Sequence, residues 1–314
     1  MRVFITGATG LVGRRLVPRL LAAGHTVLCV TRDPTRAKEI LPAEAELIGA
    51  DPGLPGVWQD RAAICDAVVN LAGAPVAAGR WTHTRKQAIR RSRLGVTSHL
   101  ARTLIRSEHP VIFVSASAAG YYGDTGDNAV GERAQPGNDF LARLAVEWEH
   151  TALQAEAEAV QVVLLRIGAV LAAEGGVLGR MLPLFRAGLG GPLGTGRQYL
   201  PWIHIEDVVG VILFILEGSA VAGPVNAAVP APCSQREFAR TLGRVLGKPA
   251  RLSAPAWVLR MLLGEMAGMV LTGQRVVPNA LKAAGYSFAF TELEPALRDL
   301  LGAQSGQPTT KASA

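Results

Sequence analysis

The chain opens Met1-Arg2-Val3-Phe4-Ile5-Thr6-Gly7-Ala8-Thr9-Gly10-Leu11-Val12-Gly13, and the reading of this stretch decides the fold. Residues 2–6 form an apolar run of the kind that fills a buried parallel strand. Gly7, Gly10 and Gly13 then follow at GxxGxxG spacing and lead into a helical pattern over residues 11–23. A glycine at the first place permits a tight turn. One at the second lets the backbone approach a pyrophosphate, and one at the third lets the helix settle against the strand. The helix N-terminus adds free N–H groups and a positive dipole end. Strand, glycine turn and helix in this order predict a dinucleotide site on Gly7, Thr9, Gly10, Leu11, Val12 and Gly13.

Working outward, further strand patterns lie at 26–31, 45–50, 66–72, 110–116 and 160–167, with helical patterns at 35–41, 81–107 and 138–157 between them. This alternation predicts the α/β class, a Rossmann-type doubly wound parallel sheet with helices on both faces. From residue 175 the chain is rich in Gly and Pro and reads as a long shaped loop. Helices near 206–217, 234–246, 255–263, 275–284 and 292–301 then predict a smaller, mostly helical unit. The expected division is a cofactor domain over 1–172, with 200–230 returning to it. A substrate-binding cap region covers 173–302 and a flexible tail 303–314.

Cofactor preference is read at the end of the second strand. A fold that takes NAD places an acid there for the ribose 2′-hydroxyl, whereas an arginine suits a 2′-phosphate. Arg32 holds that place, with Asp33 after it. The guanidinium fork matches phosphate, so NADP(H) is expected ahead of NAD(H). Asp51 ends the third strand and meets the adenine edge or makes a turn. Leu71-Ala72-Gly73 ends the fourth, where small residues let backbone run along the cofactor. Arg80 follows soon after, within reach of cofactor or substrate.

Composition narrows the function classes. The chain has 314 residues, 49% of them hydrophobic and 18% charged, with a net charge of +7. That excludes disorder over most of its length. No apolar run reaches the length of a spanning helix, so no membrane partner is expected. The three cysteines are scattered and make no CxxC, and no metal-ligand cluster with the six histidines is visible. A reducing, cytoplasmic setting fits, with no signal-peptide pattern at the N-terminus. Of the 32 basic residues 27 are Arg, which raises the question of nucleic acid. The densest run, Arg80 to Arg93, places Lys86, Arg90 and Arg93 on one helical face. It lacks an aromatic platform or a binding motif, so a solvated helix face and no nucleic acid are expected.

Further motifs carry a family resemblance. They are Ser115-Ala116-Ser117-Ala118-Ala119-Gly120-Tyr121-Tyr122-Gly123, Asp139-Phe140-Leu141-Ala142 and Trp148-Glu149 in the first half. Gly188 to Gly194, Trp202-Ile203-His204-Ile205, Gly264-Glu265-Met266 and Gly273-Gln274-Arg275 continue it. Together with the glycine turn, they make residues 1 to about 302 resemble the extended short-chain dehydrogenase/reductases. The likeness is to their atypical branch of epimerase family, nucleoside-diphosphate-sugar epimerase-like proteins.

The resemblance implies an oxidoreductase or epimerase acting on a small polar, nucleotide-sugar-like substrate. It also brings a departure. Better-known members do their proton chemistry with a YxxxK pair, in which Lys lowers the Tyr pKa. Four residues after Tyr121, Tyr122, Tyr199 and Tyr286 stand Thr125, Gly126, Ile203 and Phe290, none of them Lys. By resemblance Ser117 takes the catalytic serine's place and Ser115 lies against the cofactor. Tyr121 or Tyr122 stands in as proton donor, or both pack under the site. Arg166, at the end of the sixth strand, holds a phosphate or substrate acid, or forms a structural ion pair. In the second half Arg197, Trp202 and His204 are expected at the substrate, with His204 as acid, base or structural group. Glu265, Gln274 and Arg275 are expected to anchor the second unit. Homodimerisation through 81–107 and 138–157 is also implied. The missing YxxxK motivates an alternative: a weak or inactive NADP(H)-binding regulatory module, linked in some relatives to cell division.

Overall fold

The computed structural model describes residues 1–302; the expected tail over 303–314 lies outside the described residues. Seven strands form the central sheet: β1 (Arg2–Thr6), β2 (Thr26–Thr31), β3 (Glu46–Gly49), β4 (Ala67–Asn70), β5 (Val111–Ala118), β6 (Val160–Ile167) and β7 (Gly223–Ala227). Their spatial order is β7-β6-β5-β4-β1-β2-β3, and every pairing is parallel. The order reverses between β1 and β4. That is the crevice where doubly wound sheets bind ligands, at the carboxyl ends of their strands.

Helices cover both faces because strands buried on both sides need two apolar layers. In chain order the first are α1 (Gly13–Ala22), α2 (Pro34–Lys38), α3 (Trp58–Ala63), α4 (His83–Leu104) and α5 (Phe140–Leu153). One face packs Leu16 and Leu20 of α1, with Val208 and Ile212 further along the chain, onto Val3, Ile5 and Val69. The other packs Trp58, Leu100 and Ala152 onto Phe4, Val68 and Phe113. Each fully buried Val, Leu, Ile or Phe side chain among them contributes about 1.5–3 kcal/mol.

The second half departs from expectation in three places. The Gly/Pro-rich segment after 175 is not all loop: α6 runs Gly176–Arg186 with Pro183 inside it. After α7 (Ile205–Leu216), Gly223-Pro224-Val225-Asn226-Ala227 forms β7, a strand beyond the six expected. Its edge position explains the tolerance of proline. The helix expected over 275–284 is a two-residue strand, Arg275–Val276, followed by a short helix, Asn279–Ala283.

The second unit is completed by α8 (Gln235–Val245), α9 (Ala256–Leu263), the one-turn α10 (Gly268–Leu271), then α11 (Asn279–Ala283) and α12 (Leu293–Gly302). Its core gathers Leu178, Leu182, Phe185, Trp202, Phe238, Leu242, Leu297 and neighbours. The Arg275–Val276 strand pairs with Ala129–Val130 in the long connection after β5, tying the C-terminal unit to the sheet.

Candidate functional site

The crevice is built first by glycines. Gly7 sits at φ +72°, and a Cβ on it would lie 2.7 Å from the Leu71 backbone. The loops after β1 and β4 therefore touch, backbone to backbone. A Cβ on Gly13 would stand 2.5 Å from the carbonyl oxygens of Gly7 and Ala8, so the helix can settle on the turn only without one. Gly10 closes the turn by donating to the Gly7 carbonyl at 2.9 Å. No side chain caps α1, and the N–H groups of Leu11 and Val12 find no acceptor among the described residues. Thr9 and Gly10 are exposed beside them. Free N–H groups at a helix N-terminus fit a pyrophosphate.

A buried polar chain holds the floor. Thr6 Oγ1 donates to Asn70 Oδ1 at 2.7 Å, and Asn70 Nδ2 donates to Thr97 Oγ1 at 2.8 Å. Trp148 Nε1 donates to the same Thr97 oxygen at 2.8 Å. Ala72 N–H reaches Thr6 Oγ1 at 3.3 Å, which sets the Leu71-Ala72-Gly73 backbone against the turn. Ser115, the register partner of Asn70, is buried, and its hydroxyl has no partner among the described residues. Arg93 corrects the expectation of a solvated face. Its Nη1 donates to the Ala74 and Ile89 carbonyls at 3.0 and 3.1 Å, and its guanidinium lies 5.2 Å from the Trp148 ring centre. Burial, helped by Arg85, lowers its pKa to about 10. Other charges of that run are also engaged: Arg90 with Glu147, Lys86 with Glu265, and Arg85 with the Pro75 carbonyl.

At the end of β2 the two candidate cofactor readers separate. Asp33 caps α2, its Oδ1 accepting from Arg36 N–H at 3.0 Å. Arg32 is exposed, and its side chain has no hydrogen bond or ion pair among the described residues. Asp51 makes a turn, accepting from Gly53 N–H at 2.9 Å, and remains exposed. Arg80 is drawn elsewhere. Its Nε donates to the Leu262 carbonyl at 2.8 Å and its Nη2 to the Met261 carbonyl, so it caps the C-terminal turn of α9.

The expected catalytic group forms a closed network. Ser117 on β5, Arg166 on β6 and Asn226 on β7 are successive register partners across three strands. Ser117 Oγ donates to Glu149 Oε1 at 2.6 Å. Arg166 binds the same carboxylate with Nε at 2.8 Å and Nη2 at 2.7 Å. Arg166 Nη1 donates to Tyr122 Oη and to the Glu132 carbonyl, both at 2.9 Å. Tyr122 Oη in turn donates to Asn226 Oδ1 at 2.7 Å. Ser117 and Tyr122 are each 4% exposed and Arg166 3%. Burial raises the Tyr122 pKa. Burial also works against the Arg166 charge, but Glu149 outweighs it and the guanidinium stays firmly protonated. Of the readings open for Arg166, the structure forms the ion pair. Glu149 lies 17 residues before Arg166, and nothing in that spacing marks it as this arginine's partner. Tyr121 differs from its neighbour. Its ring centre lies 3.5 Å from the Arg166 guanidinium carbon, it is half-buried, and its hydroxyl has no partner among the described residues.

The three expected substrate residues are not brought together. Arg197 is exposed, and its side chain has no partner among the described residues. Trp202 is 1% exposed within the second unit's core, so it packs rather than presenting a face to substrate. His204 is likewise 1% exposed. Its Nδ1 accepts from Glu206 N–H at 3.2 Å and caps α7, while its ring stacks on Phe290 at 3.9 Å. Burial lowers its pKa against the pull of Asp299, whose carboxylate stands 3.4 Å from Nε2 without making a hydrogen bond. It is the structural group among the readings open for it. Among the described residues no cluster could hold a metal, and no helix is long and apolar enough to cross a membrane.

Residues 3–228, which carry the glycine turn and all seven strands, match the model of the NAD dependent epimerase/dehydratase family. The chain belongs to that family. Residues 254–300 match a domain of unknown function, DUF1731. Among its relatives is the epimerase family protein SDR39U1 homolog, chloroplastic, of Arabidopsis thaliana, 40% identical over 96% of this chain and 87% of that one. Epimerase family protein SDR39U1 of Mus musculus is 37% identical over 96% of this chain and all of its own. The crystal structure of human epimerase family protein SDR39U1 with NADPH superposes with a TM-score of 0.85 at 34% identity, covering 96% and 99% of the two chains. MoeE5 in complex with UDP-glucuronic acid and NAD shares the fold, with a TM-score of 0.76 at 21% identity and 97% and 99% coverage.

Proposed function

We propose that this family member binds NADP(H) and is an oxidoreductase or epimerase on a small polar substrate, working without a YxxxK pair. The carrying observation is the division of labour at the end of β2. Asp33 is held by the cap of α2, and Arg32 is left with a free guanidinium where a 2′-phosphate would lie. The NADPH in the human relative's structure supports the same choice. The glycine turn and the free N–H groups of Leu11 and Val12 fit the pyrophosphate, and the unpartnered Ser115 hydroxyl offers a polar contact deeper along the crevice. A bound nicotinamide would supply hydride transfer. The chain's own part is to orient the substrate and move one proton. Tyr121 suits that task, because its hydroxyl is unengaged while Ser117 and Tyr122 are hydrogen-bonded inward.

One observation favours a second reading, a cofactor-binding module of little turnover. Both the Ser117 and the Tyr122 hydroxyls, which would serve substrate oxygen, are closed into a buried network. A panel of carbonyls and nucleotide-sugars decides between the two. NADPH oxidation or isomer exchange that disappears in Tyr121→Phe supports the enzyme. NADPH binding with no turnover on any member supports the module.

A further inference from the structure

Charged side chains on this surface are commonly paired. Arg15 meets Glu174 at 2.6 Å, Arg19 meets Glu206 at 2.9 Å and Arg244 meets Glu294 at 2.7 Å. One cleft breaks the pattern. It has a volume of about 500 Å³ and is lined by Pro192, Arg236, Arg240, Ala250, Arg251 and Ser253, three arginines with no acid among them. Arg236 and Arg240 stand one turn apart on α8, where like charges repel. Arg251 comes from the facing wall. It is brought there because Gly243 has no side chain: a Cβ on it would lie 2.7 Å from that of Ala250. The Lys248 N–H fastens the same turn by donating to the Gly243 carbonyl at 2.9 Å.

The donors are largely unused. Arg236 gives Nη2 to the Thr195 carbonyl at 2.7 Å. Arg240 and Arg251 have no hydrogen bond or ion pair among the described residues. A guanidinium fork pairs in two-pronged fashion with phosphate oxygens, and three forks around one space call for more than one negative charge. We propose that this cleft is a binding site for a phosphate-bearing anion, separate from the nicotinamide crevice. No lining residue comes from the glycine turn, from β2 or from the Glu149–Arg166 network, so the site does not rest on the cofactor reading. The phosphate has two sources: a free phosphorylated small molecule, or a lipid headgroup. Leu252 and Trp257, 57% and 67% exposed on the segment leading away from Arg251, make the second source worth an arm of the test.

Inorganic pyrophosphate is titrated into the full chain by calorimetry, with and without NADPH. The same protein is floated with phosphatidylcholine vesicles that contain or lack phosphatidylglycerol. Saturable pyrophosphate binding that weakens about tenfold or more in Arg240→Ala/Arg251→Ala, with an unchanged unfolding midpoint, assigns a free ligand. Capture by the phosphatidylglycerol vesicles alone, lost in the same variant, assigns the lipid source. Absence of both kinds of binding, or binding that persists undiminished in the double variant, overturns the site.

Discussion

Arg166 and Glu149 form a two-pronged ion pair, Nε to Oε1 at 2.8 Å and Nη2 to Oε2 at 2.7 Å, almost wholly removed from solvent. The two residues lie on β6 and α5, so the pair fastens that helix to the sheet. Because Oε1 also takes the Ser117 hydroxyl, the pair fixes what a serine at that place can do. Glu149→Gln would leave a buried guanidinium uncompensated and is expected to lower stability by about 3–5 kcal/mol. Denaturant unfolding measures this. Glu149→Leu combined with Arg166→Met should recover most of the loss, since no lone charge remains. A single variant as stable as the parent would show that the pair contributes nothing.

Tyr121 and Tyr122 are adjacent in sequence and opposite in circumstance. Tyr122→Phe removes a hydroxyl bonded to Asn226 and Arg166, and should cost about 1–3 kcal/mol in unfolding. Tyr121→Phe removes an unengaged hydroxyl and should stay within roughly 0.5 kcal/mol of the parent. Turnover should follow the reverse order, lost in Tyr121→Phe and retained in Tyr122→Phe. Urea titrations and initial rates on the same preparations test both halves.

Arg32 is expected to separate the two nicotinamide cofactors. A charge-assisted contact to a 2′-phosphate is worth about 1.5–3 kcal/mol, so Arg32→Ala should weaken NADPH binding by roughly 10- to 150-fold. NADH, which lacks that phosphate, should be little affected. Fluorescence titration with each cofactor gives the ratio; equal losses for both would place the 2′-phosphate elsewhere.

His204 should leave a signature in the pH dependence of stability. Burial lowers its folded-state pKa below the ordinary 6.5, so in acid the unfolded chain binds a proton that the folded chain refuses. Its contribution is complete above about pH 6.5 and is lost as pH falls below it, by at most about 1.4 kcal/mol per pH unit. His204→Asn keeps a side-chain acceptor for the cap of α7 and removes the titration. Its unfolding free energy should fall less steeply than the parent's between pH 6.5 and 5, and parallel curves would refute the assignment.

Much of the architecture was legible because its signals are local. Apolar runs separated by helical periodicity marked six of the seven sheet strands, and GxxGxxG marked the turn because backbone contact there leaves no room for a Cβ. The misses share a cause. Gly175-Gly176 and Pro183 are loop signals, yet α6 forms because Leu178, Leu182 and Phe185 enter the second unit's core. Gly223 and Pro224 are weak strand formers, yet β7 forms where an edge admits proline.

By itself the sequence determined the doubly wound order, the glycine turn and the arginine at the end of β2, because each follows from residue type and near-neighbour spacing. Only the tertiary structure decided which charges are free. Arg166 meets Glu149 because strand register and α5 bring them together, and Arg80 caps an α9 turn more than 180 residues away. Arg93 folds beneath the Gly73 loop, while Arg32, Arg240 and Arg251 keep open donors. A guanidinium is the same group at all these places. Its role depends on which acceptors packing carries within about 3 Å of it, and sequence spacing does not encode that distance.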